Sequence, residues 1–423
     1  MDLTHDEDAE RFRKRVQTLL DEHLPPDWQG VGALAEAGRE QFLTTWREVL
    51  REGGFLAPAV PAEYGGGGLT VIEEAILCEE FALRGVSGTP HPNDKFGFNL
   101  LLPTLLHWGT EEQKAKYVTP TITGEIKWAQ GYSEPEAGSD LFSLRTRAVL
   151  DGDEWIINGQ KTWQTAGPTA NWIFALVRTD PDAERSKGIS FVVIPIDQPG
   201  VEVRGIKNMA GQVEFAEVFF TDARTHASNV IGGVNNGAKV ALTLLGFERG
   251  AGGIAAAATG RIELERLVEL AKAKGMNTDP HVRQRIVRCI STVQVIKCIA
   301  LKVLTSSAAG APPGPESSII KLLISEYRKV VTELAVDILG RDALALEGAD
   351  VVEPLGAQPR GLDPVSSRAW IKDFLHARPG TVYGGSSEIQ RTTIAEQVLG
   401  LPREPRISIR AERSTPRLRE VSR

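Results

Sequence analysis

Two serines, a threonine and a tryptophan stand where they could hold a flat cofactor. Gly131 to Leu141, GYSEPEAGSDL, is a Pro/Gly loop presenting Ser133 and Ser139. Shortly after it, NGQKTWQTAG, Asn158 to Gly167, reads as a strand ending in Trp163 and Thr165. Small hydroxyls, loop amides and one large indole suit a hydrogen-bonding heterocycle, which stacks on the indole and bonds at its edge. Each segment alone is equally well a β-turn or an ordinary strand with a core tryptophan. The two at this spacing favour the cradle.

Other chemistries find little support. The seven histidines are scattered and no HExxH occurs, so no zinc-protease pattern is present. There is no Walker P-loop, and GYSEP lacks the second glycine of a nucleophile elbow. PAEYGGGGL, Pro61 to Leu69, follows no hydrophobic strand and lacks GxGxxG spacing, so it reads as a backbone turn. A net charge of −7 opposes a general nucleic-acid grip. No apolar run approaches the roughly 20 residues of a membrane span, and the acidic, amphipathic start has no signal-peptide core. Cys78, Cys289 and Cys298 form no pair or ligand cluster and read as reduced core residues of a cytoplasmic protein. The Arg-rich tail over 403–423 reads as a solvated end, with docking on a partner subunit as the other reading.

The elements that must position these groups change period along the chain. A length of 423 residues predicts two or three packed subdomains. Residues 1–122 show apolar positions at three- and four-residue spacing in AERFRKRVQTLLDEHL, EQFLTTWREVLREGG and VIEEAILCEEFALRG, predicting an all-α domain. From 123 to 233 the period becomes two. Asp151-Gly152 and Asn158-Gly159 read as tight turns flanking a short strand, and further strands follow from Asn171, Gly188, Val201 and Ala216. That pattern predicts a compact antiparallel β-domain, not a Rossmann sheet. From 234 to 402 the helical period returns. An Ala/Gly-rich helix after Gly252 suits close approach, and two long helices joined near Gly310 predict a hairpin within a four-helix bundle. The fold class is α+β.

The loop pair resembles the flavin-cradling loops of the acyl-CoA dehydrogenase family. There a Thr/Ser-Glu-Pro-x-Ala-Gly-Ser-Asp run is followed by a Lys-x-Trp-x-Thr run, and the order helices, β-domain, helix bundle is the same. The resemblance extends over about 1–402. It implies α,β-dehydrogenation of an acyl-CoA thioester to a trans-2-enoyl-CoA, with FAD as the hydride acceptor that no side chain can replace. By resemblance Trp163 packs on the isoalloxazine, Ser133 and Thr165 bond its polar edge, and Ser139 meets flavin or acyl-CoA. Gln130, Gly131 and Tyr132 border the loop through backbone groups.

Many members carry their base as Glu in a Tyr-Glu-Gly-Thr run. Here the run is TVYGGSSEIQR, Thr381 to Arg391, and Gly384 occupies the Glu position. Other branches carry the base in a Leu-x-x-Glu-Arg context on a bundle helix, which matches LLGFERG with Glu248 and Arg249. Read without the family, Glu248 is an ordinary helix-surface carboxylate. The missing acid at 384 makes it the candidate base, its pKa raised by desolvation toward that of the proton it removes. Arg249 is a helix anchor near substrate. The Gly384 amide keeps an oxyanion role, and its lost side chain leaves room for a wide acyl group.

Departures concern the neighbouring subunit's FAD. The Arg-x-x-Phe-Gly run is absent, leaving Arg283 and Gln284 near its place. The Gln-x-x-Gly-Gly run reads with Asp337 and Arg341, and an aspartate facing a pyrophosphate is repulsive. Ser386 and Glu388 remain at adenine-side positions. This pattern resembles the heteromeric enzymes of actinobacterial steroid side-chain catabolism. It implies a homotetramer or an α2β2 heterotetramer with a homologous subunit, reoxidised by an electron-transfer flavoprotein. The alternatives are an acyl-CoA oxidase or flavin monooxygenase on this scaffold, and a non-catalytic subunit completing a partner's site.

Overall fold

The computed structural model describes residues 7–247, 252–310, 314–348 and 360–403. The chain opens with α1 (Glu7–His23), α2 (Glu36–Glu52), α3 (Val71–Arg84), the single turn α4 (Asp94–Phe96), α5 (Leu102–Trp108) and α6 (Glu111–Thr123). Helix α1 buries Phe12, Val16 and Leu20 at the spacing its sequence predicts. Helices α3 and α6 begin on the capping boxes Thr70/Glu73 and Thr110/Gln113, which satisfy otherwise orphaned amides. Both end at a glycine in the left-handed conformation, Gly85 and Gly124.

A single sheet follows: β1 (Trp128–Gly131), β2 (Arg147–Asp151), β3 (Glu154–Thr165), β4 (Trp172–Arg178), β5 (Ile189–Pro195), β6 (Val201–Lys207), β7 (Val213–His226) and β8 (Val230–Ile231). Its order is β6-β7-β3-β2-β4-β5-β8, with β1 beside β4. The long ladders are antiparallel, as the turn signals predict. Parallel pairing occurs where β1 lies along β4, Trp128 opposite Trp172, and where β2 touches β4 at Arg147 and Arg178. Strand β4 is buried on both faces. Phe174 and Leu176 join the core of the N-terminal helices, while Ile173, Ala175 and Val177 join a separate core within the sheet domain.

Asp151-Gly152 makes the predicted turn, with Gly152 at φ +64° between β2 and β3. Asn158-Gly159 does not. It lies inside β3, at a register shift between Ile157 and Gly159. Asn158 bonds the backbone of Asp222 on β7 at 3.0 Å, and a Cβ on Gly159 would sit 2.6 Å from the Thr146 hydroxyl. The glycine serves a β-bulge and a close approach, which a dipeptide turn rule reads as a hairpin end.

The remaining helices are α7 (Gly237–Phe247), α8 (Gly252–Ala273), α9 (Pro280–Ala308), α10 (Ser317–Leu339), α11 (Ser367–Ala377) and α12 (Ser387–Thr393). Helices α8 to α11 share a core that includes Leu267, Cys289, Val331, Leu334 and Trp370. Close helix approach is visible at Gly253, where a Cβ would stand 2.9 Å from that of Ala300. Arg266 is buried over the Trp370 ring at 3.8 Å and pairs with Asp373 at 2.9 Å, while Arg328 pairs with Glu263 at 2.6 Å. The cysteines are not uniformly core: Cys289 is buried, Cys78 half-buried and Cys298 exposed. Cys298 sits on the outward face of α9, where helical phase overrides its apolar character. Among the described residues, no helix is long and apolar enough to cross a membrane.

Candidate active site

A buried ion pair holds the two motif segments together. The Glu134 carboxylate accepts the N–H groups of Arg145 at 2.6 Å and Thr146 at 2.9 Å, folding the loop back on itself. Lys161 on β3 reaches the same carboxylate at 2.7 Å and the Tyr132 carbonyl at 3.3 Å. The Thr162 N–H donates to the Ser133 carbonyl at 3.0 Å. Burial pulls the Lys161 ammonium down to about 8 against the attraction of Glu134. Burial alone would raise the Glu134 carboxyl, but Lys161 and the loop amides hold it below its ordinary range. Both residues stand inside the motifs, yet neither was assigned a role from sequence. The alternation of β3 places Lys161 on the buried face, and that was the available signal.

Strand β3 changes its presentation just after Lys161. Between Lys161 and Gln164 two residues of β3 oppose one of β7, and Trp163 takes φ +65°. Lys161, Thr162 and Gln164 are consequently buried while the Trp163 indole is 59% exposed. It stands edge-on to Phe215 at 5.9 Å. Thr165 and Ser133 are half-buried beside this wall, Ser139 is exposed on the loop, and the body of Tyr132 is buried against Phe174 and Phe191. An exposed indole near the end of a strand, next to Thr162 whose N–H holds the Ser133 carbonyl, could carry a flat ring.

The segment around Gly384 forms a second wall, in the bundle. Gly384 and Gly385 both take the left-handed conformation, at φ +61° and +81°. Lys321 from α10 donates to the carbonyls of Gly380 at 2.9 Å and Gly385 at 2.7 Å, and Gln390 donates to that of Gly384 at 3.0 Å. Among the described residues, a Cβ at 384 would meet the Lys321 side chain alone, at 3.7 Å, and the backbone conformation suits glycine. Ser386 caps α12 by accepting the Ile389 N–H at 3.3 Å, and Glu388 is exposed in its first turn. Gly384, Ser386 and Glu388 thus sit close in sequence, on the loop and the first turn of the helix it leads into.

The remaining predicted positions belong to neither of these segments. Gln284 is exposed near the start of α9. Asp337 does not present a bare charge: Arg285 reaches it at 2.7 Å, and this ion pair offsets the repulsion expected of a lone aspartate. Arg341 is exposed in the turn after α10. Glu248 and Arg249 lie outside the described residues, directly after the end of α7.

One further carboxyl borders the indole wall. The Glu214 carbonyl accepts the Ala166 N–H at 2.9 Å, one residue beyond Thr165, and its side chain accepts from Asn208 at 3.3 Å. Burial pushes this carboxyl up to about 7, against the Asn208 hydrogen bond and the Lys95 ammonium. A carboxyl raised in the fold favours its neutral form, so its contribution is complete below the unfolded value of 4.5 and is lost as pH rises through about 7. Glu214→Gln removes this dependence. Thermal midpoints measured from pH 4 to 8 are expected to fall more steeply for the wild type than for the variant, and parallel curves would refute the assignment.

Comparison with known proteins gives one consistent result. Family models for the N-terminal, middle and C-terminal domains of acyl-CoA dehydrogenases match residues 6–125, 129–223 and 235–399. The chain is 36% identical over 402 residues to acyl-CoA dehydrogenase IpdE1 of Mycobacterium tuberculosis, covering 94% of this chain and 99% of the relative. Among solved structures it resembles the Tcur3481-Tcur3483 steroid ACAD, at 31% identity and a TM-score of 0.76 over 96% of this chain and 100% of that one. It also resembles a chain of the ChsE4-ChsE5 complex from Mycobacterium tuberculosis, at 26% identity and a TM-score of 0.75 over 96% and 100%.

Proposed function

Because this chain belongs to the acyl-CoA dehydrogenase family, we propose that it desaturates an acyl-CoA thioester to the trans-2-enoyl-CoA with Glu248 as base. Membership makes it a flavin-dependent oxidoreductase acting on acyl-CoA. The single observation supporting the finer reading is at Gly384: a glycine, with space beside it among the described residues, stands where many relatives place the carboxylate.

FAD, when bound, supplies the hydride acceptor that side chains lack. Trp163 would carry its ring, with Ser133, Thr165 and the loop amides along the polar edge and Ser139 toward the acyl-CoA. The Gly384 N–H would donate to the thioester oxygen; one such donor is commonly worth about 3 kcal/mol in the transition state. Polarising that oxygen acidifies the α-carbon, and Glu248 takes the proton. The absent side chain at 384 leaves width for a branched or ring-bearing acyl group, and a steroid-derived substrate is our specific suggestion, given the steroid ACAD among its structural relatives.

Pairing with a homologous subunit is favoured by the altered 337–341 stretch and by the two-component names of the relatives above. The Asp337–Arg285 ion pair occupies groups that would otherwise face a neighbour's cofactor. Electron-transfer flavoprotein is the proposed electron acceptor. The deciding experiment is purification alone and with a candidate partner, followed by flavin spectra and anaerobic bleaching with an acyl-CoA panel. Bleaching by some thioester is expected. A yellow protein that no acyl-CoA bleaches would refute the reading, and a chain colourless until its partner is added would make it a half-site subunit.

A further inference from the structure

A polar chain crosses from the indole wall in the sheet to the Gly384 wall in the bundle. It starts at Glu214, fastened to Ala166 as described, and passes to Asn208 in the turn between β6 and β7. Asn208 organises that turn. Its N–H donates to the Gln212 carbonyl at 2.8 Å, and its side-chain oxygen accepts the N–H groups of Ala210 and Gln212, each at 3.0 Å. The Gln212 side chain then leaves the sheet domain. Its Oε1 lies 2.7 Å from Nε2 of His376, a residue 164 positions away on α11.

His376 is well placed to act as a fixed point. It is buried, three residues beyond Asp373, which is itself held by Arg266 at 2.9 Å and approached by Arg328 at 3.6 Å. Burial pushes the imidazole down to about 4, with Asp373 opposing and Arg328 and Lys372 assisting, so near neutrality the ring carries one N–H. That proton placed on Nε2 donates to the glutamine oxygen. Two residues on, Arg378 ties the end of α11 to α10 through Glu333 at 2.5 Å and the Lys329 carbonyl at 3.1 Å. The loop carrying Gly384 begins at the next residue.

We infer that the Gln212–His376 hydrogen bond is a positioning contact that sets the separation of the Trp163/Thr165 wall from the Gly384 peptide. The inference rests on the proposed function, since both walls serve one bound substrate only in that reading. Covalent connection between the walls is long, through β4 to β8 and helices α7 to α11. The direct contact closes that loop with two short side chains whose backbones are each fixed by their own elements. Reacting groups tolerate little displacement, and an error of about 1 Å remote from the chemistry can cost roughly 100-fold in rate.

The test uses the full chain, with its partner if one is required, loaded with FAD. Gln212→Ala and His376→Leu remove the contact; His376→Gln restores a donor to the Gln212 oxygen. The first two are expected to retain flavin and fold, to slow anaerobic bleaching by a reactive acyl-CoA about tenfold or more, and to shift the visible circular dichroism of the bound flavin. His376→Gln is expected to recover most of both signals. Unchanged rates and dichroism in Gln212→Ala and His376→Leu would overturn the inference. So would parallel loss of flavin and of the unfolding transition without rescue by His376→Gln, because the contact would then be purely structural. Absence of bleaching in the wild type would instead remove the functional reading, while the dichroism, which needs no turnover, still decides whether the contact sets the flavin's surroundings.

Discussion

Glu248→Gln is expected to leave the protein yellow and abolish its bleaching by every acyl-CoA, with a rate loss of about a thousandfold or more. The substitution keeps shape and much of the hydrogen-bonding capacity while removing the carboxylate basicity that accepts the α-proton. Gly384 offers no carboxylate to take over, and the nearby acid beside the indole wall, Glu214, is engaged by Asn208 at 3.3 Å. Rapid-mixing spectroscopy under anaerobic conditions separates the two properties, because flavin content is read before substrate is added. Bleaching at the wild-type rate would remove Glu248 as the base and return attention to Glu214.

The second large effect concerns stability. Lys161→Met leaves the Glu134 carboxylate buried with its cation gone, and breaking a buried pair from one side costs about 3–5 kcal/mol. Because Glu134 also holds the Arg145 and Thr146 amides, the loop bearing Ser133 and Ser139 loses its anchor together with the strand. Thermal unfolding followed in parallel with flavin fluorescence should show cofactor release at a markedly lower temperature than in the wild type. Adding Glu134→Gln should recover part of the loss, since it removes the buried charge. Its single oxygen can accept only one of the Arg145 and Thr146 N–H groups, which bond different oxygens of the carboxylate. A midpoint unchanged in Lys161→Met would mean that the pair contributes nothing net.

Much of the architecture was legible because it depends on local physics. Helical spacing gives α1, α2 and α3, and the caps Thr70, Thr110, Gly85 and Gly124, although not assigned from sequence, are local signals of the same kind. The positions of Trp163 and Gly384 could be named from motif spacing. What escaped depends on tertiary contact. Asn158-Gly159 looks like a hairpin turn until Thr146 is seen packed on the glycine. The charge of Asp337 looks repulsive until Arg285, 52 residues away, is brought beside it. Gln212 and His376 carry no mutual signature, because a single side-chain contact between distant elements leaves no period in either segment.

The bulge before Trp163 has a consequence for how this surface can diversify. In a regular strand, residues 161 and 163 point the same way, so whatever supports the fold at one would constrain the other. Here the extra residue reverses the phase, and Lys161 faces inward while Trp163 faces out. Strand β3 therefore has a structural half and a display half, separated by one residue of slack. Substitutions at 163 and 165 can retune what the wall binds without reaching the ion pair beneath it. Deleting the residue between them would make 161 and 163 neighbours in a regular strand, which still face opposite sides, so the lysine would stay inward and the indole outward without the slack.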